Sequence, residues 1–459
     1  MGAPDFESRG VPHGGLWVDR YHIDSMQIAW KHHLFNRATF DLFGRRPPFG
    51  GGYILVAGLA IALDFATSFS FDDGEIAYLR SLNRYDDAFL AWLHGYRFSG
   101  DIEAIPEGMI AYANEPLLRV TAPFPEALAL EAGLLHAIGV SSNIATKAAR
   151  IVQAADGRSV SEFALRRAHH PWLTTRSAVI GGFSSTSNLD AARDLSIPAS
   201  GTIPHALVTA FATEREAFTA VADSFSSYTL LLDTYDVEHA TDRAIEVALE
   251  ALLINGHRLE AVRLDSGDLG VQARMVRAKL DQSGLADTKI VASGDLDEWS
   301  ISKLVTSGAP IDGFGVGGRL VVPGEVSDEH PSSIGAVYKL VWLEGAAEPA
   351  RMKLSTDKQT WPGIKQIHRL PGWAGDIIAT ADEPAPLQSM PLLAPVMRNG
   401  ALLPDASPTF RVIRSRAKAN LAAMPSRFGA LEMPRDYVIS YSPALTALRD
   451  RARNSILGN

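Results

Sequence analysis

The sequence contains no cysteine among its 459 residues. This absence excludes disulfide bonds, thiolate metal sites and cysteine nucleophiles, and it is typical of proteins from a reducing compartment. Long hydrophobic runs are also absent. The longest, YILVAGLAIAL from Tyr53, meets Asp64 after about half of the roughly 20 residues that a membrane span needs, so it predicts a buried helix or a strand–helix junction. The amino-terminal MGAPDFESRG lacks the apolar segment of a secretory signal, and we therefore expect a soluble, cytoplasmic protein that binds no membrane.

Positively charged residues are fewer than negatively charged ones. The chain has 43 Lys and Arg residues against 52 Asp and Glu residues, a net charge of -9, with no basic block. This balance argues against a nucleic-acid-binding protein, although a local pocket of Arg and Lys can still attract a small anionic substrate. The sequence also lacks the GxxxxGK[ST] phosphate-binding loop and the HExxH zinc motif. Neither pair of adjacent histidines, His32 with His33 or His169 with His170, has the spacing of metal ligands.

The pattern of apolar residues predicts helices over 73–95, 125–138 and 141–154, a short helix over 417–424, and a last helix from Pro443 to Leu457. In the middle of the chain, apolar strand-like runs alternate with helical stretches, which is typical of parallel βα units. We therefore predict an α/β barrel over 141–335. A flanking α+β domain is predicted from the two remaining parts, 1–140 and 336–459.

Four successive strand-like runs of the middle region end in Asp, Ser or Gly. In a barrel of parallel strands, the loops at the carboxyl ends of the strands build the active site. Taken singly, such residues are just as consistent with helix N-caps, but four in succession favour a shared site. The residues concerned are Asp233; Arg263, Asp265 and Ser266; Ser293, Gly294 and Asp295; and Gly315, Gly317 and Gly318.

The densest polar cluster lies between Glu162 and His205. Phe163, Arg166 and Arg167 provide an aromatic face and two guanidinium groups, and the GGFSSTSN turn provides hydroxyl groups that can donate to an anion. His205 follows GTIP and precedes an apolar helical run, so it lies at a helix N-terminus, where a phosphate is favoured. A histidine that only caps the helix is the alternative interpretation.

Eleven short motifs occur in a fixed order over most of the chain: VDRYHIDSMQ, YILVAGLAIAL, EPLLRV, ATKAARI, EFALRRA, GGFSSTSN, GTIPHALVTAF, LLDTYDV, VRLDSGDL, IVASGD and DGFGVGG. In these motifs the chain resembles the nicotinate phosphoribosyltransferases. The resemblance implies the irregular α/β barrel of the type II phosphoribosyltransferases, with a second domain built from both termini. It also implies a homodimer with shared active sites.

The reaction implied by the resemblance joins nicotinate and 5-phosphoribosyl-1-pyrophosphate (PRPP) to give nicotinate mononucleotide and pyrophosphate. It is coupled to ATP hydrolysis, with Mg²⁺ as cofactor, and it is the first step of NAD synthesis from nicotinic acid. His205 corresponds to the histidine that ATP phosphorylates transiently, and we expect the Asp233 carboxylate to hold its ring. The sequence leaves the metal ligands unknown.

The resemblance also assigns substrate-binding residues. Phe163 and Tyr21 correspond to the two aromatic residues that sandwich the pyridine ring, with Tyr21, near Asp19, coming from the partner subunit. Arg166 is expected to pair with phosphate or carboxylate oxygens. Arg263, a substrate-binding residue, and the catalytic Asp265 correspond to the RxDSG stretch of the family, in which Asp265 is expected at the ribose hydroxyls or the metal-bound pyrophosphate. The residues expected to bind the 5′-phosphate are Ser293, Gly294, Asp295, Gly317 and Gly318.

Ser187 bears on the choice between acid and amide. In the related nicotinamide phosphoribosyltransferases, the matching turn carries an Asp that accepts from the carboxamide. A Ser hydroxyl can instead donate to a carboxylate, whereas an Asp there would repel it. Nicotinate is therefore the expected substrate, with nicotinamide or another pyridine carboxylate as the alternative.

The chain departs from the family pattern at several positions. Ala164 stands where a Gly is usual, Arg20 and His22 replace apolar and amide residues, and GVGGRLV, with Arg319, replaces a Thr- and Ser-containing phosphate motif. These departures motivate a third hypothesis, a protein that binds nucleotides or a partner without catalysis. The presence of the full set of expected catalytic residues argues against it.

Overall fold

A computed structural model describes residues 13–322, 331–355 and 359–458. The chain forms two compact units, the first made of 1–146 with 326–459 and the second of 147–325. Within the described ranges, each helix is too short or too polar to cross a lipid bilayer. The segment 1–10, interpreted above as not being a secretory signal, lies outside the described residues.

The amino-terminal part of the first unit is mixed α and β. Its elements are α1 (Arg20–Lys31), β1 (Arg37–Gly44), β2 (Ile54–Leu55), α2 (Leu59–Ser68), α3 (Asp73–Ser81), α4 (Asp87–His94), β3 (Asp101–Ala104), β4 (Ile110–Ala111), β5 (Pro116–Pro123) and α5 (Phe124–Ala129). The helix α6 (Glu131–Ala154) then contains the boundary between the units. The apolar run from Tyr53 forms a strand–helix junction, as one of the two sequence interpretations has it.

Two helix predictions in this part were wrong in detail. The stretch 73–95 forms two helices instead of one, because Asn83 has a positive φ of 52°, a conformation that an α-helix cannot continue. The break expected between 138 and 141 is absent, and α6 runs through it as one helix.

The second unit alternates strands and helices. It contains β6 (Ser159–Glu162), α7 (Pro171–Ile180), β7 (Ser185–Thr186), α8 (Leu189–Leu195), α9 (His205–Ala210), α10 (Glu214–Ser224), β8 (Ser227–Leu231), α11 (Val237–Asn255), β9 (Arg258–Leu264), α12 (Leu269–Gln282), β10 (Lys289–Ala292), α13 (Glu298–Thr306), β11 (Gly313–Val316) and α14 (Gly318–Val321). The strands form one parallel sheet in the order β7-β6-β11-β10-β9-β8. This sheet curls into a half-barrel, which confirms the predicted fold class.

The carboxyl-terminal part returns to the first unit. It contains β12 (Ala336–Leu343), β13 (Lys365–Arg369), a 3₁₀ turn (Pro371–Trp373), β14 (Asp376–Thr380), β15 (Met390–Pro391), β16 (Ala394–Arg398), β17 (Ala401–Leu402), α15 (Phe410–Ala423), α16 (Ser426–Gly429), β18 (Ile439–Tyr441) and α17 (Pro443–Leu457). β12 pairs with β1, and β16 pairs with β3, so both chain ends contribute to one sheet in the order β12-β1-β5-β3-β16-β17.

The two helices predicted near the carboxyl terminus are present. α17 has the predicted bounds. α15 begins at Phe410, seven residues before the predicted start at Ala417, and it ends before Pro425 because a residue that precedes proline disfavours the helical conformation.

Candidate active site

Most of the side chains expected at the site lie in loops that follow the parallel strands of the second unit. Phe163 follows β6, Asp233 follows β8, Asp265 follows β9 and Ser293 follows β10. The carboxyl ends of parallel strands meet at one edge of a sheet, and the loops therefore converge. Two adjoining cavities, of about 340 and 320 Å³, lie among them. They share four lining residues, which are Phe163, Arg166, Arg263 and Asp265.

The first cavity combines an apolar wall with a few polar groups. Phe163, Leu165 and Ile203 provide apolar surface, while Ser187 and His205 provide a hydroxyl group and an imidazole. The amide of Ser187 donates to the Glu162 carbonyl at 2.9 Å, so the turn is anchored to the end of β6. This composition suits a flat ring that carries a polar substituent.

The second cavity is polar and rich in glycine. Its lining includes the guanidinium groups of Arg166 and Arg167 and the expected phosphate-binding residues Ser293, Gly294, Asp295, Gly317 and Gly318. Gly294 has a φ of +94°, and a Cβ there would lie 1.9 Å from the Asp265 carbonyl oxygen, so this position admits only glycine. A glycine-lined turn beside cationic side chains is a typical environment for a phosphate.

Arg263 and Asp265 form the polar link between the two cavities. The Arg263 guanidinium donates to Ser293 Oγ at 2.8 Å, to Thr202 Oγ1 at 2.6 Å and to Asp265 Oδ1 at 2.7 Å. Ser293 Oγ donates to the same Asp265 oxygen. Burial alone would raise the pKa of Asp265, but the hydrogen bonds from Ser293 and Arg263 outweigh it and hold that pKa below its usual range. Asp265 is therefore an anion at neutral pH, with Oδ2 left for another partner.

His205 is the first residue of α9, and Pro204 occupies the N-cap without a side-chain bond. Its ring contacts two loops. Nδ1 lies 3.1 Å from Thr234 Oγ1, and Nε2 lies 4.0 Å from Asp265 Oδ2. The side chain is 44% exposed and lines the first cavity. The ring is thus held by side chains of the site, which disfavours the interpretation of His205 as a capping residue.

The expected contact between Asp233 and His205 is replaced by another. Asp233 Oδ2 accepts from the Ser266 hydroxyl at 2.5 Å and from the Asp265 amide at 3.2 Å, and so it fixes the loop after β9. The His205 partner is the next residue in the chain, Thr234. The predicted partner of His205, Asp233, is the neighbour of the observed partner, Thr234. Both residues follow β8 directly, so the sequence alone does not show which of the two side chains reaches the ring.

Other aspartates than those predicted for the site cap the helices that follow the strands. The caps of α11, α12 and α13 are Asp236, Asp268 and Asp297, and each accepts from an amide of its helix. Every one of these lies two or three residues beyond an aspartate predicted for the site. Asp233, Asp265 and Asp295 therefore do not serve as N-caps.

Glu162 connects the two sides of the first cavity, and the sequence analysis did not select it. This residue is fully buried at the end of β6. Its carboxylate accepts from the Ala164 amide and from the hydroxyl groups of Thr175 at 2.8 Å and Thr186 at 2.5 Å. It therefore joins the Phe163 loop to the Ser187 turn. The available signal was a charged residue directly before the aromatic residue Phe163, at the end of a short strand.

Arg167, the second guanidinium group of the polar cluster found in the sequence, lies at the second cavity. Its Nη1 lies 3.6 Å from Asp295 Oδ1, and both side chains are largely exposed at the second cavity. Arg319, considered above as a replacement for lost phosphate-binding hydroxyls, is not among the described residues that line either cavity. Ala164 is buried and is not among the described residues with positive φ, so alanine meets no backbone strain there.

Asp19 and Tyr21 belong to the first unit, at the start of α1. The Asp19 amide donates to Nδ1 of the buried His22 at 3.2 Å, and His22 Nε2 lies 3.3 Å from Glu131 Oε2. The Tyr21 ring lies 4.0 Å from the His22 ring and is half exposed. Burial, together with the nearby carboxylates of Glu131 and Asp19, raises the pKa of Tyr21 to about 12. The role of Tyr21 at the pyridine ring stays a prediction.

The chain is similar to known proteins in both sequence and fold. Residues 16–139 match the model of the nicotinate phosphoribosyltransferase N-terminal domain, and residues 159–325 match the model of the nicotinate phosphoribosyltransferase family. Together these two matches include every residue expected at the site.

The similarity to individual proteins extends over most of the chain. A nicotinate phosphoribosyltransferase of Mycobacterium tuberculosis, pncB2, is 40% identical over 425 residues, which cover 91% of this chain and 89% of that protein. The Bacillus subtilis nicotinate phosphoribosyltransferase is 38% identical over 383 residues, covering 80% and 76%. The crystal structure of human nicotinic acid phosphoribosyltransferase superposes with a TM-score of 0.83 at 28% identity, covering 95% of this chain and 99% of that one. The chain belongs to the nicotinate phosphoribosyltransferase family.

Proposed function

We propose that the protein is a nicotinate phosphoribosyltransferase, which converts nicotinate and PRPP to nicotinate mononucleotide and pyrophosphate and so supplies NAD synthesis. The observation that carries this proposal is the pair of adjoining cavities that share Phe163, Arg166, Arg263 and Asp265. One cavity suits an aromatic acid and the other suits phosphate groups, and their common wall is where the two substrates would meet. The names of the relatives agree with this assignment.

Nicotinate binding is assigned to the first cavity. The pyridine ring would lie on the Phe163 face, where stacking contributes roughly 0.5–1.5 kcal/mol beyond the buried area. Ser187 lines the same cavity and can donate its hydroxyl to the substrate carboxylate. A carboxamide would lose that charge-assisted bond, which favours the acid over nicotinamide.

PRPP binding is assigned to the second cavity. Its phosphates would be neutralised by Arg166 and Arg167 and approached by the amides of the glycine turn at Gly294. The ionised Asp265 lies at the junction of the cavities, where it can accept from ribose hydroxyls and stabilise positive charge at the anomeric carbon. In the transfer, the ring nitrogen bonds to that carbon, and the bond to the pyrophosphate oxygen breaks with its electrons leaving on pyrophosphate.

Mg²⁺ is the cofactor that this chemistry calls for. The described residues contain no group of three or more acidic or histidine side chains placed to hold a metal. Mg²⁺ commonly binds through one or two carboxylates together with substrate phosphates, so the site fits such a mode. Asp265 and Asp233, whose Oδ1 is buried without a hydrogen bond, are the carboxylates that would hold it. The ion would offset the charge of the pyrophosphate leaving group.

ATP is proposed as a co-substrate that phosphorylates His205. Support comes from the position of the ring at the N-terminus of α9, at the wall of the first cavity, with the ring held on its Nδ1 side. The imidazole nitrogen that faces the cavity is a competent phosphoryl acceptor when its lone pair is free. Homodimerisation with shared sites and a cytoplasmic location stay predictions.

The test of this function is the conversion of ring-labelled nicotinate to nicotinate mononucleotide in the presence of PRPP and Mg²⁺. Asp265→Asn should lower kcat by two or more orders of magnitude, because it removes the charge at the junction of the cavities. Asp268→Asn is the matched control, since asparagine is as good an N-cap as aspartate for α12. Equal activity of the two variants would contradict the assignment of the site.

A further inference from the structure

The residue that contacts the proposed phosphoryl acceptor is a threonine, and the structure assigns it a specific task. Thr234 Oγ1 lies 3.1 Å from His205 Nδ1, while the neighbouring Asp233 carboxylate is engaged by Ser266 and by the Asp265 amide. We propose that Thr234 is a positioning residue that holds the His205 ring and allows its proton to lie on either Nδ1 or Nε2. This inference rests on the proposed function, because it concerns the histidine that accepts the phosphoryl group.

The two ring nitrogens of His205 face different surroundings. Nδ1 points to the loop after β8, where Thr234 lies, and Nε2 lies on the side of Asp265 Oδ2, at 4.0 Å. Asp265 is tied through Oδ1 to Arg263 and Ser293, which leaves Oδ2 toward the imidazole. Nε2 is thus the ring nitrogen on the side of Asp265, and Nδ1 is the ring nitrogen held by Thr234.

A hydroxyl partner differs from a carboxylate partner in one respect. A carboxylate only accepts, so it would fix the proton on Nδ1, whereas the Thr234 hydroxyl can either accept or donate. In a resting state, Thr234 donates to Nδ1, and the Nε2–H group faces the Asp265 carboxylate. In a reactive state, Nδ1–H donates to Thr234 Oγ1, and the Nε2 lone pair is free. Rotation of one hydroxyl accommodates both states without moving the ring.

Only the reactive state can accept the phosphoryl group of ATP. The Nε2 lone pair forms the bond to the γ-phosphorus, and the bond from that phosphorus to its bridging oxygen breaks, with the electron pair leaving on ADP. The ring proton stays on Nδ1, where it donates to Thr234 Oγ1. Water later cleaves the nitrogen–phosphorus bond, which releases phosphate and restores the unphosphorylated ring.

The test compares Thr234→Val and Thr234→Ser in the full-length protein. Valine keeps the shape of threonine but removes the hydroxyl, and serine keeps the hydroxyl but removes the methyl group. With γ-labelled ATP, the rate of phosphoryl incorporation into His205 should fall about fivefold to tenfold in the valine variant and should be largely restored by serine. Thr209→Val is the matched control, because Thr209 is an exposed residue of α9, the helix that begins with His205, and its hydroxyl donates to the Ala206 carbonyl at 3.1 Å.

A second measurement reads the tautomers directly. In protein labelled with ¹⁵N-histidine, the His205 signals are assigned by their loss in His205→Ala. The two ring nitrogens should show averaged shifts in the wild type and in Thr234→Ser, and displaced shifts in Thr234→Val. Unchanged ring shifts in the valine variant, or a serine variant as defective as valine, would overturn the proposal. If the wild type incorporates no label at all, the ATP step of the proposed function fails, and the ring shifts still decide the role of Thr234.

Discussion

The Gly315→Ala substitution tests whether the Phe163 ring is the surface on which nicotinate binds. Gly315 lies in β11, where it pairs with Ser161 of β6, so neighbouring strands hold its backbone in place. A Cβ at this position would lie 2.3 Å from Phe163 Cε2 and 2.6 Å from Cδ2. Ordinary contact begins at 3.4 Å, so the edge of the ring must retreat by about 1.1 Å from Gly315.

The expected size of the effect follows from the loss of ring stacking. If the displaced ring no longer stacks, nicotinate binding weakens by roughly 0.5–1.5 kcal/mol. This is about a 2- to 13-fold increase in KM for nicotinate, since 1.36 kcal/mol corresponds to a factor of ten. The crowded core should also lower the free energy of unfolding by about 1–3 kcal/mol.

Steady-state kinetics with varied nicotinate at saturating PRPP, together with urea unfolding, measure both quantities. Gly270→Ala is the matched control in the same unit, because a Cβ there would meet its nearest neighbours at 3.5 Å, an ordinary contact. The control should leave KM for nicotinate within twofold of the wild-type value. A Gly315→Ala protein with unchanged KM would refute the placement of the pyridine ring on Phe163.

Three further predictions concern residues that touch the two cavities. His205→Ala should abolish the stimulation by ATP and retain a slow transfer without ATP, as assayed by nicotinate mononucleotide formation; an unchanged ATP dependence would remove His205 from the ATP step. Ser187→Asp should lower kcat/KM for nicotinate relative to nicotinamide, because it adds a like charge beside the carboxylate; equal changes for both substrates would show that Ser187 does not contact this group. The pKa of Asp265 lies below its ordinary value in the folded protein, so its ionised form stabilises the fold above about pH 4, and this contribution is lost as the pH falls through the lower folded value. Asp265→Asn should therefore reduce the slope of the free energy of unfolding against pH below about pH 4 in urea titrations, and an unchanged slope would contradict the network around Asp265.

The fold class was predictable because the alternating strands and helices of a parallel sheet give a regular pattern of apolar residues in the sequence. Apolar runs such as the one before Asp265 end in polar loops and are followed by amphipathic helices, which identifies βα units one after another. The sheet of the first unit is harder to predict from the sequence. Its strands β1 and β12 are almost 300 residues apart in the chain, and antiparallel pairing over such a separation has no local signal.

The side chains of the site were predictable by type and by loop, but not by partner. Asp233 and Thr234 are neighbours after the same strand, and only the backbone geometry of that loop decides which of them reaches His205. Glu162 was missed for a related reason. Its importance comes from hydrogen bonds to hydroxyl groups 13 and 24 residues away, which cannot be recognised before the loops are folded together.

The most direct test of the proposed function is pyrophosphate release from PRPP and Mg²⁺ with nicotinate or nicotinamide, each with and without ATP. If the first cavity binds nicotinate and the second binds PRPP, pyrophosphate is released with nicotinate and is released faster when ATP is present. Release with nicotinamide should be much slower. Pyrophosphate release with nicotinamide but not with nicotinate, or no release with either pyridine, would contradict the assignment of these two cavities to nicotinate and PRPP.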